Sequence, residues 1–289
     1  MSNFKKFAAK SHLGSTLVLI VISALWLLPT FGLLITSMRE STEAQTTGWW
    51  NAIIHFTPDS WTLQAFSRVM SNDGLGSSII SSFAVTLPAT ILPLLLAAYA
   101  AYGFTFLVFK GREFIFSILI GLLVIPLQGA LVPVLKLFLK FTAMTGIEIS
   151  GEYAAAWFVH SAFAMPLAVY ILRNYMMSIP VPLIEAARVD GASNFTIFWR
   201  LVLPISVPAL ASFAIFQFLW VWNDYLVAFV FVGNDHPVLT YKLLAMLGQY
   251  GEGWQSVAAG SFISMSVPLL VFFSLQRYFI RGLTAGAVK

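Results

Sequence analysis

Residues 185–193 read Glu185-Ala186-Ala187-Arg188-Val189-Asp190-Gly191-Ala192-Ser193, and Leu201-Val202-Leu203-Pro204 follows. This polar stretch lies between two charge-free windows, 153–172 and 201–223. Each window is long enough to cross a bilayer, which takes about 20 apolar residues. A helix-forming insert bounded by prolines, placed between two spans, reads as a docking element for a soluble partner.

Composition agrees with the spans. Of 289 residues, 59% are hydrophobic and only 10% are charged, where soluble domains carry roughly 25% charge. The mean hydropathy is +0.85. The chain has no cysteine, so disulfides and thiol chemistry are excluded. The sequence pI of about 9.3 does not point to nucleic acid, because the basic residues are scattered between spans.

Four further charge-free windows, 13–38, 74–109, 114–135 and 253–276, bring the total to six. The predicted spans are about 13–36, 78–102, 114–135, 153–172, 205–230 and 256–278, with an insert at 180–204 and a tail at 281–289. An open sheet cannot cross lipid, so the fold class is an all-α membrane protein with one membrane domain. The N-terminal apolar run is longer than a signal-peptide core and predicts an uncleaved first helix.

Lys and Arg set the orientation. With the N-terminus in the cytoplasm, Lys5, Lys6, Lys10, Lys110, Arg112, Arg173, Arg188, Arg200, Arg277, Arg281 and Lys289 fall inside. Arg39, Arg68, Lys136, Lys140 and Lys242 fall outside, eleven against five. This bias predicts both termini in the cytoplasm. The first outer loop, about 39–77, carries Trp49, Trp50 and Trp61 and shows no clear fold of its own.

Several chemistries are missing. The dipeptide Gly-Lys never occurs, so there is no Walker loop for ATP. His12, His55, His160 and His236 are far apart and suggest no metal site. His160 lies mid-span, where a hydrogen-bonded packing role is the expectation. Asp224 is the one acid near a span interior. A transporter built this way needs a partner for its energy; the competing reading is a self-contained ion-coupled carrier or channel.

Within the insert, Pro180 and Pro182 suit a helix start over Val181–Asp190, and Gly191 suits its end. Ser193 is placed to cap a second short helix through Leu201, with Pro204 leading into the fifth span. In that span Phe213, Gln217, Trp220 and Asp224 are spaced 4, 3 and 4, on one helical face, with Asn223 beside them. Aromatic faces with a few polar groups suit a small-solute path. The bland alternative leaves Asp224 solvated, with Trp220 and Trp222 in the interfacial belt.

The pattern E-A-A-x3-G-x9-I-x-L-P marks the membrane subunits of binding-protein-dependent ABC importers. Glu185-Ala186-Ala187, Gly191, Leu201, Leu203 and Pro204 match it, with Leu201 in place of isoleucine. The ending from Gln276 to Lys289 is similar to the tail of maltose-type sugar permeases. The resemblance implies the type I ABC importer permease fold in a bacterial inner membrane, spanning it several times. It implies a coupling helix (Glu185, Ala186, Ala187, Asp190, Gly191) seated on a cytoplasmic ATPase dimer, which would hold the ATP and Mg; this chain would bind no cofactor. Gly282, Leu283, Thr284 and Gly286 would also touch that ATPase. A second related permease would complete the channel. An extracytoplasmic sugar-binding protein would meet Gln249, Tyr250, Gly251 and Glu252 and deliver an oligosaccharide or glycoside.

Overall fold

A computed structural model describes residues 2–71, 74–247 and 253–285, with side chains described over 13–276 outside the same gaps. Fifteen α-helices and no β-strand occur among the described residues. In chain order they are α1 (Ser2–Ser37), α2 (Ser41–Thr46), α3 (Asn51–Ile54), α4 (Gln64–Ser71), α5 (Leu75–Phe106), α6 (Arg112–Gly121) and α7 (Leu127–Thr145). Then come α8 (Tyr153–Met176), α9 (Val181–Val189), α10 (Asn194–Ile197), α11 (Leu203–Ile205), α12 (Val207–Trp222), α13 (Leu226–Phe231), α14 (Leu239–Ala245) and α15 (Trp254–Ala285).

Five stretches are long and apolar enough to cross a membrane: Leu13–Ser37, Leu75–Phe106, Leu127–Thr145, Tyr153–Met176 and Trp254–Gln276. The pair Asn194–Ile205 and Val207–Trp222, bent by 73°, makes a sixth when the two are taken together as one broken span. The predicted third span, 114–135, is corrected: it is not one helix. Pro126 has no N–H to continue the ladder. The chain tightens into a 3₁₀ turn over Leu122–Val124, and α7 starts after Pro126. Lys136 and Lys140, expected outside the third span, therefore lie within α7. The predicted 205–230 span is also interrupted, between α12 and α13.

The chain divides into two compact units where one domain is predicted. One holds Met1–Leu75 and Leu243–Met265, the other Gly76–Lys242 and Ser266–Lys289. In the first, the loop after α1 has a fold of its own, contrary to expectation. Arg39 is buried at its centre; its guanidinium donates to the Thr47 carbonyl at 3.0 Å and to the Thr47 hydroxyl, and pairs with Glu43. A buried cation needs this many acceptors to offset its lost hydration. Glu40 caps α2, and the hydroxyl and then the N–H of Thr42 hold its carboxyl below the usual value.

The second unit is built around α5, whose interior prolines would leave carbonyls orphaned in lipid. Pro88 cannot donate to Ala84 and Pro93 cannot donate to Ala89, the carbonyls four residues back. Both are satisfied from neighbouring helices. Trp157 Nε1 of α8 donates to the Ala84 carbonyl at 2.8 Å, and Gln217 Nε2 of α12 donates to the Ala89 carbonyl at 3.1 Å. At the bend before α12, Tyr175 Oη of α8 donates to the Ile205 carbonyl at 3.2 Å.

Two apolar clusters hold this unit. One gathers α5, α8, α9, α10 and α12 around residues such as Tyr102, Leu172, Ile184, Ile197 and Phe213. The other joins α5, α7, α8 and α13 around Val85, Leu131, Val159 and Phe231.

Removing a donor from a buried carbonyl costs about 1–3 kcal/mol. Gln217→Leu and Trp157→Phe are each expected to destabilise by that amount. Pro93→Ala should rescue only the first and Pro88→Ala only the second, since alanine returns the helix's own N–H. A double-mutant cycle on detergent unfolding measures the coupling.

Candidate functional site

The insert starts where proline allows it. Pro180 precedes α9 with ψ at 124°, and Pro182 sits in the first turn, where a missing N–H is harmless. Gly191 ends the helix at φ +80°, in the left-handed region. Its N–H donates to the Arg188 carbonyl, and the Ala192 N–H donates to the Ala187 carbonyl, both at 3.0 Å. This double closure is the Schellman arrangement. A side chain at Gly191 would meet nothing within 4 Å, so the turn demands glycine for its backbone angle, not for space. Ser193 Oγ then accepts from the Thr196 N–H at 3.2 Å and caps α10. The helix continues from α10 through a π turn at Phe198–Val202 to Ile205, and breaks at Ser206, two residues later than expected.

The insert buries one edge and presents the rest. Ile184 is buried in the core, and Ala187 is half-buried against it. Glu185, Ala186 and Asp190 are exposed, as are the apolar side chains of Leu183, Val189 and Phe195. Among the described residues Glu185 makes no ion pair. Arg188 has a role that pattern reading missed: its Nη2 donates to the Phe106 carbonyl at 3.0 Å, the last residue of α5. The tie suits a cation at a helix C-terminus.

The polar face of α12 borders a cavity of about 350 Å³. Of the five predicted path residues, Phe213, Gln217, Trp220 and Asp224 line it. Asn223 does not; its amide donates to the Leu219 carbonyl at 2.7 Å and closes the end of α12. Asp224 is only 11% exposed, so it is not the solvated acid of the bland reading. Its Oδ2 accepts from the N–H groups of Val227 at 2.8 Å and Ala228 at 3.2 Å. Trp222 is buried and stacks on Phe218, and is therefore not a belt residue. Trp220 stays exposed.

The opposite wall comes from the α6–α7 break, through Leu122, Pro126 and Gln128. Non-helical backbone at membrane depth is tolerated where it lines a cavity or lies within protein. The lone Gln128 beside Pro126, in an otherwise apolar window, was the available signal. Phe163 and Ala164 of α8 add further wall. His160 departs from expectation: its Nε2 is buried without a hydrogen-bond partner among the described residues.

The remaining predicted sites are less visible. Gly282, Leu283 and Thr284 fall on the final turns of α15, where only the backbone is described, and Gly286 lies outside the described residues. Gln249, Tyr250, Gly251 and Glu252 also lie outside them.

A helical subunit with several membrane spans, a capped insert and a lined cavity belongs to the class of membrane transport subunits. The sequence matches the family "Binding-protein-dependent transport system inner membrane component" over residues 7–285, and the chain belongs to it. It is 43% identical to the osmoprotective compounds uptake permease protein GgtD of Synechocystis sp. over 94% of this chain and 91% of that one. It is 49% identical to the alpha-glucoside transport system permease protein AglG of Rhizobium meliloti over 81% of this chain and 62% of that one. Its fold is similar to a chain of a bacterial ABC transporter involved in alginate import, with a TM-score of 0.72, 20% identity, and coverage of 92% and 95%. The chain is thus an inner-membrane permease of a binding-protein-dependent importer.

Gly191→Ala must hold an ordinary residue in the left-handed region, at about 1 kcal/mol. Amide exchange in α9 should rise about fivefold. A methyl group at Gly103, inside α5, would meet nothing within 4 Å, so Gly103→Ala should leave that exchange unchanged.

Proposed function

We propose that this permease passes a sugar, either an oligosaccharide or a glycoside, into the cytoplasm by alternating access driven by a partner ATPase. The observation that carries the reading is one continuous core. Ile184 and Ile197 of the insert share a cluster with Phe213 and Ala164, and those two residues also line the cavity. Close-packed interiors transmit displacement rather than absorb it. A push on the insert therefore reaches the cavity wall without an intervening loop.

On this reading both termini and the insert face the cytoplasm. Glu185, Ala186, Ala187, Asp190 and Gly191 form the face and turn that dock on an ATPase dimer, which carries the ATP and Mg. The tail residues Gly282, Leu283, Thr284 and Gly286 touch the same partner. A second related permease completes the path, and an extracytoplasmic sugar-binding protein delivers the cargo near Gln249, Tyr250, Gly251 and Glu252. Relatives named for alpha-glucosides and for melibiose, raffinose and stachyose support a sugar cargo. So does the cavity, where Trp220 and Phe213 offer rings and Gln217 and Asp224 offer polar groups.

The test is uptake by the complete complex in proteoliposomes containing ATP. Sugar should accumulate only with the binding protein and ATP present; uptake that follows an ion gradient instead overturns the reading. On this reading Glu185 pairs with a basic residue of the ATPase, so Glu185→Lys sets like charges together there and should weaken ATPase binding tenfold or more. Trp220→Ala should lower the uptake rate roughly tenfold while binding-protein-stimulated ATP hydrolysis persists.

A further inference from the structure

One polar atom beside the cavity has no use in the reading above. His160 on α8 is 4% exposed, and its Nε2 is buried with no hydrogen-bond partner among the described residues. The nearest charged atom is Asp224 Oδ2 at 3.8 Å, beyond hydrogen-bond reach. That oxygen already accepts two backbone N–H groups of the chain turning into α13. Asp224 thus secures α13 and leaves His160 unserved. A buried polar atom in this condition is costly and uncommon, and calls for a cause.

The surroundings supply one. His160 lines a side chamber of about 20 Å³. The chamber shares Leu127, Phe163, Ala164, Gln217 and Trp220 with the 350 Å³ cavity, so the two adjoin. About 10–15 Å³ suffices for one water-sized group. The chamber therefore suits a single hydroxyl, while the larger space is within the range of small-molecule sites. Its walls are mostly apolar and aromatic, with Gln217 as the other polar side chain. A hydroxyl is also the group best matched to imidazole: it donates to or accepts from Nε2, whichever tautomer is present.

We propose that His160 Nε2 is a hydroxyl-reading subsite. One hydroxyl of an uncharged, polyhydroxylated solute held in the larger cavity enters the side chamber and hydrogen-bonds to it. His160 thereby determines which hydroxyl the cargo must carry during passage. The proposal rests on the sugar reading and adds to it a specificity residue outside the α12 stripe.

Single-deoxy analogues test it, because a site built for a hydroxyl rejects a ligand that lacks it. The complete complex is reconstituted and offered maltose, trehalose and sucrose, then the monodeoxy analogues of the one it carries best. Analogue affinities for the binding protein are measured separately and divided out. In the unaltered complex one analogue should enter roughly tenfold more slowly than its parent. His160→Phe and His160→Met keep bulk without a hydrogen bond, and should bring that one ratio to about 1 while the other analogues keep theirs. His160→Gln should restore part of the discrimination. Binding-protein-stimulated ATP hydrolysis identifies variants that assemble, and either apolar variant suffices. An assembled apolar variant with unchanged ratios overturns the proposal and leaves the sugar reading intact, as does failure of both to assemble while His160→Gln behaves as the unaltered complex for every analogue. If none of the three is carried, melibiose, raffinose, stachyose and methyl α-glucoside are offered in turn; uptake of none of the seven removes the sugar reading, and this proposal with it.

Discussion

Every backbone polar group inside a membrane must find its partner within the protein, because lipid offers none. That constraint explains the arrangement around α5. Pro88 and Pro93 each remove a donor, and the two freed carbonyls at Ala84 and Ala89 are answered by Trp157 of α8 and Gln217 of α12. The replacements come from two different helices, so satisfying α5 also ties together the three helices. Tyr175 adds a further interhelical bond at the bend before α12 by donating to the Ile205 carbonyl. The prolines thus cost the helix two internal bonds and return two interhelical ones.

The same pins bear on the cavity. Gln217 both holds α5 and lines the cavity, so its amide nitrogen is already engaged. The groups left uncommitted on this wall are the rest of that side chain and the exposed ring of Trp220, while His160 lines the adjoining side chamber. Across the cavity, the break between α6 and α7 brings Pro126 and Gln128 to the opposite side. A helix interrupted there has fewer internal bonds to resist movement than an intact one.

The insert was legible in the sequence nearly residue by residue. Pro180, Gly191 and Ser193 act through local backbone geometry, which depends little on the rest of the fold. The α12 stripe was legible for a similar reason: helical spacing alone places Phe213, Gln217 and Trp220 on one face, and Asp224 joins them at the cavity from just past the helix end. Asn223 was misplaced because the helix ends there and its amide turns back to Leu219. The third span was misread because composition registers an apolar window without registering that Pro126 divides it. The fold of the loop around Arg39 was not legible, because its organising contacts, to Thr47 and Glu43, are hydrogen bonds and an ion pair rather than a hydrophobic period.

The sequence by itself determined the solvent, the helical class, the glycine-ended turn of the insert and the family. Each follows from composition or from short-range pattern, where a residue's effect is felt within a turn or two. Only the tertiary structure decided which side chain answers which proline, that Ile184 and Phe213 share one core, and that His160 lines the side chamber with an Nε2 unpartnered among the described residues. Those outcomes join residues as far apart as Ala89 and Gln217. Contacts of that range depend on how helices cross and pack, and no local spacing encodes the crossing.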